Sequence, residues 1–180
     1  MSKYISLTAI GEDKFGIVNT ISELLYKEKC NIEDSTMTIL HGQFAMILII
    51  KLCSGISKNT LLSKLKNYSK ALALSLFCAD INSYTQKKRL SKKTFVISVY
   101  GADRTGIVYN ISKYLANNKI NITDVQTTVS KHDGQKIYMM IVESNFPANV
   151  LEKEISKGLF ELGKSLNINI SINQAESSNI

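Results

Sequence analysis

The chain has 180 residues, of which 44% are hydrophobic and 21% charged, with a net charge of +7. That is the composition of a globular protein of one large domain or two small ones. No apolar run approaches the roughly 20 residues that cross a bilayer. The opening "MSKYISLTAI" enters a strand-like alternation instead of a signal-peptide core, so a cytoplasmic protein without a membrane partner is expected.

The charge is concentrated in one place. "KKRLSKK", residues 87–93, holds Lys87, Lys88, Arg89, Lys92 and Lys93, which is +5 of the +7. Only two of the 22 basic residues are arginine, the side chain best suited to bidentate phosphate and guanine contacts. The segment reads as a solvated linker, and no direct sequence-specific DNA binding is expected. Cys30, Cys53 and Cys78 all lie in the first half without metal-ligand spacing, so buried free thiols are expected, with no metal and no cofactor.

In chain order, Ile5, Leu7 and Ala9 alternate with Ser6 and Thr8 and predict a strand. "GEDKFGIV", residues 11–18, ends it. Asp13 is the expected N-cap of a helix whose apolar stripe is Ile17, Val18, Ile21, Leu24 and Leu25. Residues 31–40 are extended and turn at "LHGQ" into "FAMILIIKL", a hairpin. Leu61, Leu65, Tyr68 and Leu72 mark a second helix, and "LFCADINSY" a closing strand. The second half repeats this order. Phe95, Ile97 and Val99 form the strand, and "GADRTGIV" carries the expected cap Asp103. Ile107, Val108, Ile111 and Leu115 stripe a helix, residues 121–131 turn at "KHDGQ" into "KIYMMIVES", Leu151 to Leu166 form a helix, and "NINISIN" closes.

Aligned at an offset of ninety without gaps, residues 11–34 and 101–124 are identical at twelve of 24 positions, from Gly11/Gly101 to Asp34/Asp124. Matching Gly42 with Gly134 places two extra residues in the second hairpin turn. The chain is therefore an α+β protein of two ferredoxin-like βαββαβ domains, each an antiparallel sheet with its helices on one face. They are expected at 1–84 and 94–176, joined by the basic linker 85–93. "FAMILII" is apolar on both faces of its strand, so its outer face is expected to pack on another sheet or domain.

Gly11 and Gly16 stand where the backbone must bend sharply or admit another group closely. Amide N–H groups at the helix start, with the helix dipole behind them, attract a carboxylate. Asn31 and Asp34, with Asn121 and Asp124, lie near the far end of the helix, so a ligand held at both ends needs an interface between modules. The same residues also serve a purely structural reading, in which the glycines shape a turn and Asp13 caps. Spacing alone does not choose between the two.

"GEDKFGIVNTISELL" followed by "CNIEDSTMTILHGQF" resembles the ACT domain, a small-molecule sensing module, and "GIVNTI" with "CNIEDS" is similar to the glycine cleavage system transcriptional repressor family. Phe15 and Thr105 stand where the family's turn commonly has proline. The resemblance implies an effector site at Gly11, Glu12, Asp13, Phe15, Gly16 and Ile17, joined by Asn31 and Asp34. The second copy would use Gly101, Asp103, Thr105, Gly106, Ile107, Asn121 and Asp124. It implies a small amino acid effector such as glycine, a transcriptional activator as protein partner, and a self-associating homo-oligomer. An amino-acid sensor acting on a metabolic enzyme is the alternative.

An enzyme is not expected. The only histidines, His41 and His132, sit near hairpin turns at non-equivalent positions, and no nucleophile and base are paired. Acylphosphatases share the βαββαβ plan and use an arginine in the first loop, but Arg104 is matched by Lys14. RNA-recognition folds stack bases on aromatics of the third strand, where "GQFAMILII" offers one phenylalanine.

Overall fold

The structure is a computed structural model that describes residues 3–81, 93–132 and 135–175. These fall into two compact units, one on each side of residues 82–92. The linker expected at 85–93 lies outside the described residues except Lys93, which pairs with Phe146 as the first residue of a strand.

The first unit runs β1 (Tyr4–Glu12), α1 (Ile17–Lys27), β2 (Asn31–Leu40), β3 (Gln43–Lys51), α2 (Lys58–Tyr68), a 3-10 turn (Lys70–Leu72) and β4 (Ser75–Ile81). The second runs β5 (Lys93–Ala102), α3 (Ile107–Asn117), β6 (Asn121–His132), β7 (Gln135–Phe146), α4 (Glu152–Leu166) and β8 (Ile168–Gln174). The sheets have the orders β2-β3-β1-β4 and β6-β7-β5-β8, and every pairing is antiparallel. The βαββαβ order expected from the sequence is present twice.

Period-two alternation explains the layering. Ile5, Leu7 and Ala9 of β1 and Phe44, Met46, Leu48 and Ile50 of β3 are buried against Ile17, Ile21, Leu24 and Leu25 of α1 and Leu61 and Leu65 of α2. The second core repeats this with Phe95, Ile97, Val99, Met140 and Val142 beneath Ile107, Ile111, Leu115, Ile155 and Leu159. Each fully buried side chain of this kind contributes roughly 1.5–3 kcal/mol, so the repeated stripes fix which faces meet. On the other face of β3, Ile47 is 46% exposed.

Four expectations need correction. Asp13 and Asp103 do not cap the helices. The N-caps are Gly16 and Gly106, with φ of 87° and 96°, a left-handed conformation open to glycine at little cost. The Asp13 and Asp103 amides instead donate to the Gly42 and Lys136 carbonyls at 2.8 and 3.1 Å, tying each bend to the neighbouring hairpin. Second, the extra residues of the second hairpin lengthen its strands, not its turn. Gly11 pairs with Phe44 and Gly101 with Tyr138, and the added rungs are Lys131↔Lys136 and His132↔Gln135. Third, α2 stops at Tyr68, so Leu72 lies in the 3-10 turn. Fourth, all three thiols are free, but only Cys30 is buried; Cys53 and Cys78 are half-buried.

Helices α1 and α3 end alike. Lys29 and Lys119 take left-handed φ values of 54° and 58°, and the amides of Cys30 and Ile120 return to the carbonyls of Leu25 and Leu115 at 2.9 Å. These bonds satisfy carbonyls that the helix end leaves without partners.

Candidate effector site

The bend from β1 to α1 is built by what it lacks. Gly16 has no side chain to cap the helix, and the first intrahelical bond runs from the Thr20 amide to the Gly16 carbonyl at 2.8 Å. The amides of Ile17, Val18 and Asn19 precede it at the helix start, the orphan donors of any first turn. A Cβ built on Gly16 would meet nothing within 4 Å. The space that a side chain on Gly16 would fill is therefore open.

Pairing of β2 with β3 brings a second wall to this opening. Ile39 pairs with Phe44, and Phe44 with Gly11, so the hairpin end of β2 runs alongside the bend. Together they line a cavity of about 630 Å3 bounded by Asp13, Lys14, Phe15, Gly16, Ile17, Val18, Asn19, Met37, Thr38, Ile39 and Phe44. Its walls are mostly apolar, and its polar groups gather at the bend. Phe15 is fully exposed at the rim, and Lys14 lies 3.5 Å from the Glu12 carboxylate.

Of the sequence-derived residues in this unit, Asp13, Phe15, Gly16 and Ile17 line the cavity, while Gly11 and Glu12 precede it in β1. Asn31 and Asp34 lie at the opposite end of β2. There the Asn31 amide donates to Glu33 at 2.9 Å, and Asp34 accepts from the Ser35 amide at 2.8 Å beside a bulge at Ile32/Asp34. The two groups are not brought together within one unit. Met37, Thr38, Ile39 and Phe44 were missed, because only the register of the sheet places them at the bend. Apolar residues clustered at the hairpin end of a mostly polar strand were the available signal.

The second bend has the same backbone and a different lining. The Asn110 side-chain Nδ2 donates to the Gly106 carbonyl at 2.8 Å and would stand 3.4 Å from a Cβ on Gly106; the first copy has Thr20 at that position. Thr105 replaces Phe15, and Tyr138 takes the place of Phe44 beside Gly101. Asn121 and Asp124 again lie at the far end of β6, next to a bulge at Ile122/Asp124, with Gln126 donating to Asp124 at 3.2 Å. Gly101 pairs with Ile168, and Asp103 follows at the strand's end. Burial pushes the Tyr138 phenol up, with the Asp103 charge adding to it.

Among the described residues, no group of three or more His, Cys, Asp or Glu is placed to hold a metal, and no helix is long and apolar enough to cross a membrane.

The fold and the paired bends are those of a recurrent module. The ACT domain profile matches residues 3–79 and again 93–173, and the chain belongs to the ACT domain family, of which it carries two copies in tandem. Along 172 residues it is 23% identical to the glycine cleavage system transcriptional repressor of Escherichia coli, covering 94% of this chain and 89% of that protein. A UPF0237 protein of Clostridium acetobutylicum is 33% identical over 85 residues, which is 47% of this chain and 96% of that one. Among solved structures, an unknown protein from Galdieria sulphuraria superposes with a TM-score of 0.81 at 23% identity, over 97% of this chain and 99% of that one. A second, described as a putative glycine cleavage system transcriptional repressor, gives 0.69 at 15% identity over 97% and 98%.

Proposed function

We propose that the protein is a non-catalytic regulator that senses a small amino acid, with glycine as the first candidate. It would modulate transcription of glycine-cleavage and one-carbon genes by binding a transcriptional activator. The observation that carries this reading is the duplicated bend, in which a left-handed glycine begins a helix without a side-chain cap. Likeness to the Escherichia coli repressor along nearly the whole chain supports the regulatory half.

The ligand carboxylate would accept hydrogen bonds from the Ile17, Val18 and Asn19 amides. Charge-assisted bonds are worth roughly 1.5–3 kcal/mol each, against about 0.3–1 kcal/mol for the helix dipole, so the amides dominate. The ammonium would be received by Asn31 and Asp34, or Asn121 and Asp124, of a neighbouring module, which makes sensing depend on assembly. A cytoplasmic homo-oligomer fits this scheme.

The test is a thermal-shift survey of the full chain against the twenty amino acids. A specific ligand raises apparent stability by mass action; a flat response to every amino acid rejects the sensing role. An amino-acid sensor acting on a metabolic enzyme has the same bend and a different partner. Affinity capture that recovers a transcriptional activator supports the first reading, and capture of a metabolic enzyme supports the second.

A further inference from the structure

Away from the bend, the start of β1 and the end of β3 frame a second opening in the first unit. Lys51 closes β3 opposite Tyr4, and the Leu52 amide donates to the Lys3 carbonyl at 2.9 Å, so Lys3 and Lys51 sit diagonally across the β1–β3 ladder. The chain then turns at once. The Ile56 amide donates to the Cys53 carbonyl at 3.5 Å, and Gly55 takes φ of 103°, the positive value that the third position of a type II turn demands. Both lysines and this turn line a cavity of about 540 Å3, within the range of about 300–1,000 Å3 that small-molecule sites occupy.

The charge of this cavity is uncompensated. Among the described residues neither Lys3 nor Lys51 has a carboxylate within ion-pair distance, in contrast to Lys14, Lys27, Lys58, Lys64 and Lys164. Asp80 feels the Lys3 charge, but its carboxylate is bound by the Lys58 ammonium. The Ser54 and Gly55 amides have no acceptor among the described residues, and a Cβ on Gly55 would meet nothing within 4 Å. Two ammonium groups and two unpaired amides therefore border one opening. The second copy is built differently. Its corresponding turn runs from the Val150 amide to the Pro147 carbonyl at 3.1 Å, and Asn145 stands where Lys51 does, tied to the Thr94 hydroxyl at 3.1 Å.

We propose that this cavity binds the phosphate group of a small soluble phosphomonoester. Such a group carries about −1.5 to −2 charges at neutral pH, which matches the two ammoniums, whereas a monocarboxylate brings one. The Lys3 and Lys51 ammoniums donate to the phosphate oxygens in charge-assisted bonds, the strong class, and the Ser54 and Gly55 amides serve the oxygens that remain. The cavity is larger than a bare phosphate, so the ester group has room. It shares no lining residue with the cavity at the bend, and the proposal stands whether or not that bend senses an amino acid.

The experiment is a titration of the 15N-labelled full chain with inorganic phosphate and with AMP, followed by amide NMR. The Ser54 and Gly55 signals are expected to move and saturate with both. Lys3→Ala and Lys51→Ala each raise Kd about tenfold or more, Lys51→Arg raises it less than Lys51→Ala, and Lys153→Ala, at an exposed lysine of the second unit, leaves it unchanged. Spectra of the variants without ligand report that the fold is intact. Signals of Ser54 and Gly55 that stay still with both probes, an equal loss in Lys153→Ala, or shifts confined to residues 87–93 overturn the proposal. So does a protein that ignores both probes and sediments with phosphatidic acid vesicles, which marks a membrane surface as the source of the phosphate.

Discussion

Gly101 lies so close to Ile168 that a Cβ added to the glycine would stand 2.7 Å from the Ile168 Cγ2 and 3.1 Å from its Cα. The corresponding Gly11 in the first unit would meet the Leu74 Cδ2 at 2.9 Å and the Leu74 Cα only at 3.5 Å. A side-chain tip can rotate away, whereas a Cα moves only with its strand. Gly101→Ala is therefore expected to destabilise the second unit by about 1–3 kcal/mol, the usual cost of overpacking, and Gly11→Ala to cost less. Urea unfolding of the two variants decides this, and equal losses would mean that β8 shifts freely.

Lys119 ends α3 with φ of 58°. A left-handed conformation costs an L-residue roughly 1–2 kcal/mol, part of which glycine gives back through its greater freedom in the unfolded chain. Lys119→Gly is expected to stabilise the protein by about 0.5–1 kcal/mol on these figures. The midpoint of chemical denaturation should rise with an unchanged slope. Lys29→Gly, at φ 54°, should do the same for α1.

Phe15 is fully exposed and lines the cavity at the first bend. Phe15→Ala removes no buried contact, so unfolding without ligand should stay within about 0.5 kcal/mol of wild type. The shift produced by an amino acid that occupies this cavity should shrink. Gly16→Val forces a β-branched residue into φ 87° and should lower both stability and binding. Asp13→Ala, which leaves the Asp13 amide on Gly42 in place, should weaken the ligand shift more than folding.

Glu23 and Lys27 make an i,i+4 ion pair at 2.7 Å, with the Lys27 ammonium also donating to the Tyr68 hydroxyl at 2.8 Å. The hydrogen bond from Lys27, then that of Tyr68, holds the Glu23 carboxyl below the usual carboxylate range. Its contribution is present above the ordinary Glu value and is lost as the pH falls through the depressed one. Carboxyl NMR titration should find Glu23 low in the wild type and raised toward the ordinary range by Lys27→Met, with the Tyr68 bond keeping part of the depression. The stability difference between the two proteins should close in acid.

The layers could be read from the sequence because burial follows short-range periods. Ile5, Leu7 and Ala9 on one side, and Ile17, Ile21, Leu24 and Leu25 on one stripe, require no knowledge of the partner. The helix start was misplaced because Asp is a good cap by composition, yet a glycine three residues later reaches the left-handed conformation that this bend needs. One wall of the candidate site was hidden for a different reason. Met37, Ile39 and Phe44 reach the bend only through the pairings Ile39↔Phe44 and Phe44↔Gly11, which are long-range and leave no local periodic mark.

The longer second hairpin shows which insertions a duplicated module tolerates. Two residues entered each arm, so Tyr138, Met140 and Val142 remain inward, as Phe44, Met46 and Leu48 are in the first copy. An odd number in either arm would have turned every later side chain of that strand inside out. Growth of this hairpin is thus quantised in pairs, and divergence between the copies could lengthen it by about 7 Å, two rungs of an extended strand, without disturbing the core beneath.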